Sequence, residues 1–274
     1  MSHFEVEFAS KFENQMFFTT IRITIPIDDG ASSSIGTGFL FNTSLENNDL
    51  TGVFLVSNKH VFGDPNRRII LNFHQKIENE DKPELGIVKS IVIENFSGHY
   101  YEHPDKDIDL ACINVSAYVG AENGVYSKHL HSEFFHEADL SSVLPGSEVL
   151  FVGYPDNRFD SVHNLPILRK GTLATLPTIN FNGLKQIIID AQVFPGSSGS
   201  PVFVVENGKY KLLGVITATM IKHELLKTIQ VSSSYAVQQT IGLGIVLKTE
   251  LVKELLDIAK HGLSERISNT NKKN

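Results

Sequence analysis

Short apolar runs broken by polar turns follow one another along most of the chain. Phe17–Ile27 (FFTTIRITIPI) alternates apolar and polar residues over much of its length, the pattern of a half-buried strand. Gly36–Asn42 and Val53–Ser57 flank the polar segment Thr43–Leu50 and predict a hairpin. Arg68–Phe73, Ile87–Glu94 and Leu110–Val115 are three further β-rich runs. Five or six strands within residues 1–118 are enough to close one small barrel.

Residues 119–145 lose this regularity and read as a connection between two barrels, with room for a short helical piece. Strand signals resume within 146–247, at Glu148–Gly153, Ile167–Ala174, Gln186–Asp190, Pro201–Val205, Lys211–Ala218 and Ile229–Val237. Asn207-Gly208 falls between two of them and predicts a tight hairpin. Residues 248–264 predict an amphipathic helix with Leu251, Leu255 and Ile258 on one face, stopped by Gly262 and followed by a polar tail, 265–274. The expectation is an all-β chain of two six-stranded barrels with a C-terminal α-helix.

Composition narrows the class. At 274 residues and 41% hydrophobic, the chain can bury a core without covalent staples. Its single cysteine, Cys112, rules out an intrachain disulfide and points to a reducing compartment, so a cytoplasmic location is expected. No stretch reaches the roughly 18 apolar residues of a bilayer span. A net charge of −7 argues against a general nucleic-acid or anionic-membrane surface. His129, His131 and His136 sit in the connection without a cysteine or a helical His pair, so they are read as solvated linker residues; no metal or other cofactor is expected.

Three segments carry candidate chemistry. His60 follows an apolar strand and falls at a barrel rim, where a general base meets solvent. Asp109 opens the run Leu110-Ala111-Cys112-Ile113, and a carboxylate partly buried there needs a cationic or hydrogen-bonding partner; Asp105 and Asp107 lie nearby as ordinary turn residues. Ser198 sits in Phe194-Pro195-Gly196-Ser197-Ser198-Gly199-Ser200-Pro201, a small-residue turn between two strand signals. Serine needs a base to take its proton, and acyl transfer needs N–H donors aimed at the developing oxyanion. Each segment alone is common. The order His, Asp, Ser, with gaps of 49 and 89 residues, spaces the three by about one barrel's worth of chain.

These motifs make the chain similar to the trypsin-like peptidases of the chymotrypsin superfamily, and most to the disulfide-free bacterial branch containing the DegP/HtrA-type protease domains, here without a PDZ module. Gly196-Ser197-Ser198-Gly199-Ser200-Pro201 resembles the family's nucleophile motif, Asn58-Lys59-His60-Val61 its histidine motif and Asp109-Leu110-Ala111 its aspartate motif. Leu212–Ile216 and Ile241–Val246 extend the likeness, which spans roughly residues 15 to 262.

The resemblance implies a serine endopeptidase acting on protein or peptide substrates through an acyl-enzyme. His60 would be base and then acid, Asp109 its orienting carboxylate and Ser198 the nucleophile. The N–H groups of Gly196 and Ser198 would form the oxyanion hole. Thr217 would support Asp109, and Gln192, Val193, Phe194, Thr217, Ala218 and Thr219 would line the pocket for the side chain before the scissile bond. The Asp156–Asn164 loop would border the cleft. Two departures stand out. Ser197 occupies the place of the aspartate that pairs with a freed N-terminus in trypsin-like zymogens, so that ion pair cannot operate. Gln192 falls where an acid would select lysine or arginine. A regulatory protein partner is compatible with a peptidase in the cytoplasm. The competing reading is a pseudoprotease, a binding or regulatory module on the same fold; an esterase with a Ser, Asp, His order is excluded by the order found.

Overall fold

The computed structural model describes residues 11–26, 33–45, 50–119, 121–135, 140–227 and 234–271, with the backbone alone for 121, 222–227, 234–239 and 270–271. Helix α1 (Phe12–Thr19) comes first among the described residues. The first half then holds β1 (Thr20–Pro26), β2 (Ser33–Ser44), β3 (Thr51–Ser57), β4 (Ile69–Lys76), β5 (Pro83–Ile93), β6 (Tyr100–Glu102), β7 (Ala111–Asn114) and β8 (Val125–Tyr126), with the one-turn helix α2 (Lys59–Phe62) after β3. Together they form an eight-stranded sheet in the order β5-β4-β1-β2-β3-β7-β6, and β8 pairs with β4. The second half, β9 (Glu148–Gly153), β10 (Ile167–Leu173), β11 (Gln186–Asp190), β12 (Pro201–Glu206), β13 (Lys209–Lys227) and β14 (Ser234–Lys248), closes into a barrel, β10-β11-β14-β13-β12-β9. Helix α3 (Thr249–Asn271) follows.

The all-β architecture is as expected, and closure differs between the halves. The second barrel has its six strands. In the first half the strand path ends at β5 and β6, and the two are not paired among the described residues. From Leu85 to Ser90 every residue of β5 is exposed, so this strand has no continuous buried face with which to complete a ring. β6 and β8, three and two residues long, are too short to show periodicity in sequence.

Alternation along single strands explains the continuous apolar runs. In β3, Val53 and Leu55 enter the interior of the first sheet, while Phe54 and Val56 enter a second core shared with the other half. In β12, Val202 and Val204 fill the closed barrel, while Phe203 faces that same shared core. Both faces are buried, so both read as hydrophobic. Asn207 (φ 50°) and Gly208 (φ 73°) form the expected two-residue turn between β12 and β13.

Three expectations need correction. Phe17, Phe18 and Thr19 end α1 instead of beginning a strand. Contacts with the other half select the helix: Phe12 stacks on Tyr210 at 4.1 Å and meets Phe203 edge-on, and Glu13 accepts the Tyr210 hydroxyl. Gly262 does not stop α3, which runs on to Asn271. This glycine lies against Tyr101, where a Cβ would come within 2.7 Å of the ring. His129 is not solvated: it is half-buried beside the Ser127 hydroxyl, and burial first, then Lys128, pull its imidazole down to about 4. His131 is exposed, and its ring packs on Phe134; His136, Ile27 and the start of Ile229–Val237 lie outside the described residues.

Helix α3 seals the shared core through Leu251, Val252, Leu255, Leu256 and Ala259, while Ile258 is 39% exposed at the edge of that stripe. Leu255→Ala is therefore expected to lower unfolding stability by about 2–5 kcal/mol, and Ile258→Ala by no more than about 0.5 kcal/mol. Urea denaturation of the two variants checks this; equal losses would mean that α3 packs on a different face.

Candidate active site

His60 occupies α2, the single turn that β3 feeds directly. Asn58, buried at the helix start, donates from Nδ2 to the Asp109 carbonyl (2.7 Å). Lys59 donates to the carbonyls of His103 and Asp105, tying the loop before β7 to the same turn. These backbone ties bring Asp109 under the imidazole. His60 Nδ1 lies 2.5 Å from Asp109 Oδ2, and the His60 backbone N–H donates to Oδ1 at 3.1 Å. Asp105 is turned elsewhere, accepting the Asp107 N–H.

The third contact on Asp109 comes from the other half of the chain. Thr217 Oγ1 donates to Oδ2 at 3.2 Å. The β13–β14 register shifts between Ile216 and Ala218, so Thr217 sits in a bulge, a device that re-aims one side chain out of the ladder. Burial by itself raises the Asp109 carboxyl; hydrogen bonds from the His60 ring, the His60 N–H and Thr217, with the His60 charge, outweigh it and hold the group below the ordinary carboxylate range.

Ser198 lies in the turn between β11 and β12. Its hydroxyl donates to the Thr217 carbonyl at 3.3 Å. Thr217 thus joins the two halves of the site, its side chain on Asp109 and its carbonyl on Ser198. Among the described residues Ser198 and His60 share no hydrogen bond.

Glycine is required twice in this turn. Gly196 has φ +84°, and a Cβ there would lie 2.4 Å from the Tyr154 carbonyl; Gly199 has φ +86°, and a Cβ would lie 1.9 Å from the Thr37 carbonyl. The carbonyls of the turn are held one by one. Asp156 N–H donates to Pro195 O (2.6 Å), Thr37 Oγ1 to Gly196 O (2.7 Å) and Thr37 N–H to Ser198 O (3.0 Å). Gly199 N–H donates to Ile216 O (2.8 Å). In a trans peptide the N–H points opposite to the C=O, so the bond on Pro195 O turns the Gly196 N–H away from Asp156. Neither the Gly196 nor the Ser198 N–H donates to another group among the described residues. Thr37, Ser57 and Asp156 were not candidates from the sequence. Thr37 is fully buried, its hydroxyl also accepts the Tyr154 N–H, and its carbonyl accepts the Ser57 hydroxyl; the one hint in sequence is a polar residue between two glycines of an apolar strand.

The expected pocket residues divide by exposure. Phe194, with 37% of its surface exposed, and Gln192 face outward. Val193 turns into the barrel core, facing Gly244, where a Cβ would meet its Cγ2 at 2.6 Å. Thr217, Ala218 and Thr219 are half-buried along β13, and Thr219 Oγ1 donates to the Leu243 carbonyl. Among the described residues no group of three or more His, Cys, Asp or Glu side chains could hold a metal ion, and no helix is long and apolar enough to cross a membrane.

Comparison with solved structures finds the same fold at low sequence identity. A scabies mite inactivated protease paralogue, S-I1, aligns with TM-score 0.53 and 15% identity over 90% of this chain and 96% of its own. A catalytically inactive tobacco etch virus protease, complexed with substrate, aligns with TM-score 0.51 and 13% identity over 87% and 81%. A protease from M. tuberculosis in its active form gives TM-score 0.49 and 16% identity over 88% and 81%. No curated protein matches the chain in sequence. The family model of the trypsin-like peptidase domain does, over residues 36–215, which takes in the His60 turn, Asp109, the Ser198 turn and the start of β13. The chain therefore belongs to the trypsin-like peptidase family, on a chymotrypsin-like fold and without a disulfide.

Proposed function

We propose that this peptidase is a serine endopeptidase with His60, Asp109 and Ser198 as its triad and the N–H groups of Gly196 and Ser198 as its oxyanion hole. The reading rests above all on Thr217, which links the His60–Asp109 pair of one half to the Ser198 turn of the other. Serine rather than cysteine chemistry follows from residue 198 itself. Cys112 is wholly buried in the shared core, where loss of solvent pushes its thiol pKa up.

In this mechanism Asp109 fixes the His60 tautomer through Nδ1, which leaves Nε2 as the base. The Ser198 hydroxyl swings from the Thr217 carbonyl to Nε2, gives up its proton and attacks the substrate carbonyl carbon. The oxyanion accepts hydrogen bonds from Gly196 and Ser198. Collapse expels the amine, which takes the proton from His60, and water repeats the cycle on the acyl-enzyme. The turn needs no N-terminal ion pair, because its Pro195, Gly196 and Ser198 carbonyls are already held by Asp156 and Thr37, and its Gly199 N–H by the Ile216 carbonyl. A cytoplasmic location agrees with the single buried cysteine. A regulatory partner is the natural means of restraint for a site built without a zymogen switch.

Fluorophosphonate labelling tests the reading. Wild-type protein is expected to label and Ser198→Ala not to. Asp109→Asn is expected to lower turnover on the order of 10⁴-fold, with far smaller losses for Asp105→Asn and Asp107→Asn. A folded wild type that never labels would favour the pseudoprotease reading.

The Asp109 pairing also predicts a pH dependence of stability. Its folded pKa is depressed, so the stability it contributes is fully present above the unfolded carboxyl value, about 3.9, and is lost as pH falls through the lower folded value. The stability gap between wild type and Asp109→Asn should be larger at about pH 5 than below about pH 4, where it shrinks. A gap that instead widened toward acid in chemical denaturation would overturn the assigned pairing.

A further inference from the structure

Arg169 lies on β10, paired across to Phe151 of β9. Side chains two residues apart on a strand share a face. Gly171, on the same face as Arg169, packs against the loop entering the pocket, where a Cβ would lie 2.7 Å from the Ala191 Cβ. That loop then runs along β10, so Arg169 comes to lie beside Phe194. Its guanidinium stands 5.1 Å from the Phe194 ring and 5.3 Å from the Phe151 ring. Phe151 belongs to the interior of the closed barrel, and Phe194 stands four residues before Ser198 on the nucleophile loop. A permanent cation is thus set between the barrel interior and the pocket wall.

Among the described residues this cation has no counter-charge. Arg169 forms no ion pair among the described residues, and its Nη1 is shut off from solvent with no acceptor. Two aromatic faces attract the charge but accept no N–H in the plane of the fork. Burial opposes the charge, lowering the guanidinium pKa from its ordinary value, and no neighbouring carboxylate works against that. The side chain as a whole keeps partial exposure. Neighbouring Lys170, which alternation turns to the other face, has its carboxylate in Glu148 at 2.9 Å. A guanidinium fork matches a carboxylate geometrically, with two parallel N–H···O bonds.

We infer that Arg169 selects an acidic residue, aspartate or glutamate, immediately before the scissile bond. The inference rests on the peptidase reading and names the substrate class of that site. The incoming carboxylate enters past Phe194, whose ring yields to open the covered Nη1, supplies the acceptor that this nitrogen lacks, and neutralises the charge. Lysine and arginine side chains meet like charge at the same place. Gln192 carries no charge and so leaves the charge of the site to Arg169.

The test uses peptide pairs identical except for Glu against Gln, or Asp against Asn, at the residue before the cleavage point, with a Lys peptide alongside. Wild type is expected to favour the acid over its amide by about tenfold or more in kcat/KM and to cleave the Lys peptide worst. Arg169→Leu should bring the acid-to-amide ratio to about one, Arg169→Lys should retain part of it, and Arg68→Leu, at an exposed arginine, should leave it as in wild type. Raising salt should narrow the wild-type ratio, a readout that needs no variant to fold. A wild-type ratio near one, or a ratio that survives in Arg169→Leu, overturns the inference. Fluorophosphonate labelling reads Ser198 separately. Should nothing label or cleave, binding of the same Glu and Gln peptides to Ser198→Ala decides: acid-selective binding lost with Arg169→Leu upholds the role of Arg169, and equal binding of the two peptides ends it.

Discussion

The site depends on one buried threonine of the first sheet gripping a turn of the second barrel. Thr37 holds Gly196 O through its hydroxyl and Ser198 O through its N–H, while its hydroxyl also receives the Tyr154 N–H. Gly199 can pass beneath it only because it has no Cβ. The groups proposed to act in catalysis come from two halves of the chain, so their relative placement is only as good as the packing between those halves. Buried hydrogen bonds are directional and costly to leave unmade, which makes Thr37 a register pin where apolar contact alone would allow sliding. The shared core around Phe39, Phe54 and Phe203, capped by α3, supplies the area, and Thr37 supplies the alignment.

Rigidity of the nucleophile turn has a local origin. Trypsin-like zymogens order this region with an ion pair from the residue before the serine. Ser197 cannot do so, and its buried hydroxyl has no partner among the described residues. The bond from Asp156 N–H to Pro195 O takes over one part of that task, since it sets the plane of the Pro195–Gly196 peptide. Asp156 and Asn157 both adopt left-handed backbone (φ 48° and 53°), a conformation that Asp and Asn tolerate better than most residues. The loop after β9 thus serves as a brace for the peptide whose N–H is proposed as an oxyanion donor.

Much of this was legible in the sequence, for identifiable reasons. Strands such as β3, β9, β11 and β12 announce themselves because both faces are buried and any glycine or proline falls at or next to an end. The Asn207-Gly208 turn is readable because its two left-handed residues admit few alternatives. His60, Asp109 and Ser198 were singled out as candidates by order and spacing. What escaped depends on contacts made elsewhere. Phe17 to Thr19 join a helix because Phe12 and Glu13 find Tyr210, nearly two hundred residues away. Gly262 continues α3 because Tyr101 requires it to be small. Thr217 was expected beside Asp109 from the family resemblance and is found there, but the bulge that aims it is a one-residue slip that leaves no trace in a hydrophobic pattern.

The pocket shows the limit most directly. Position 192 is the natural place to look for specificity, because motif spacing from Ser198 leads to it, yet Gln192 points outward and Val193 fills barrel core. The charge beside the pocket comes from β10, outside the nucleophile motif, on a residue whose neighbours Leu168 and Lys170 suggest an ordinary exposed strand. Alternation places Arg169 on the inner face with Leu173, a face otherwise apolar, and a cation is kept there only at a cost in desolvation. A cation that served packing alone could be replaced by leucine at that position with a gain in burial. A guanidinium set beside the pocket wall without an acceptor is instead what a site for an incoming carboxylate requires.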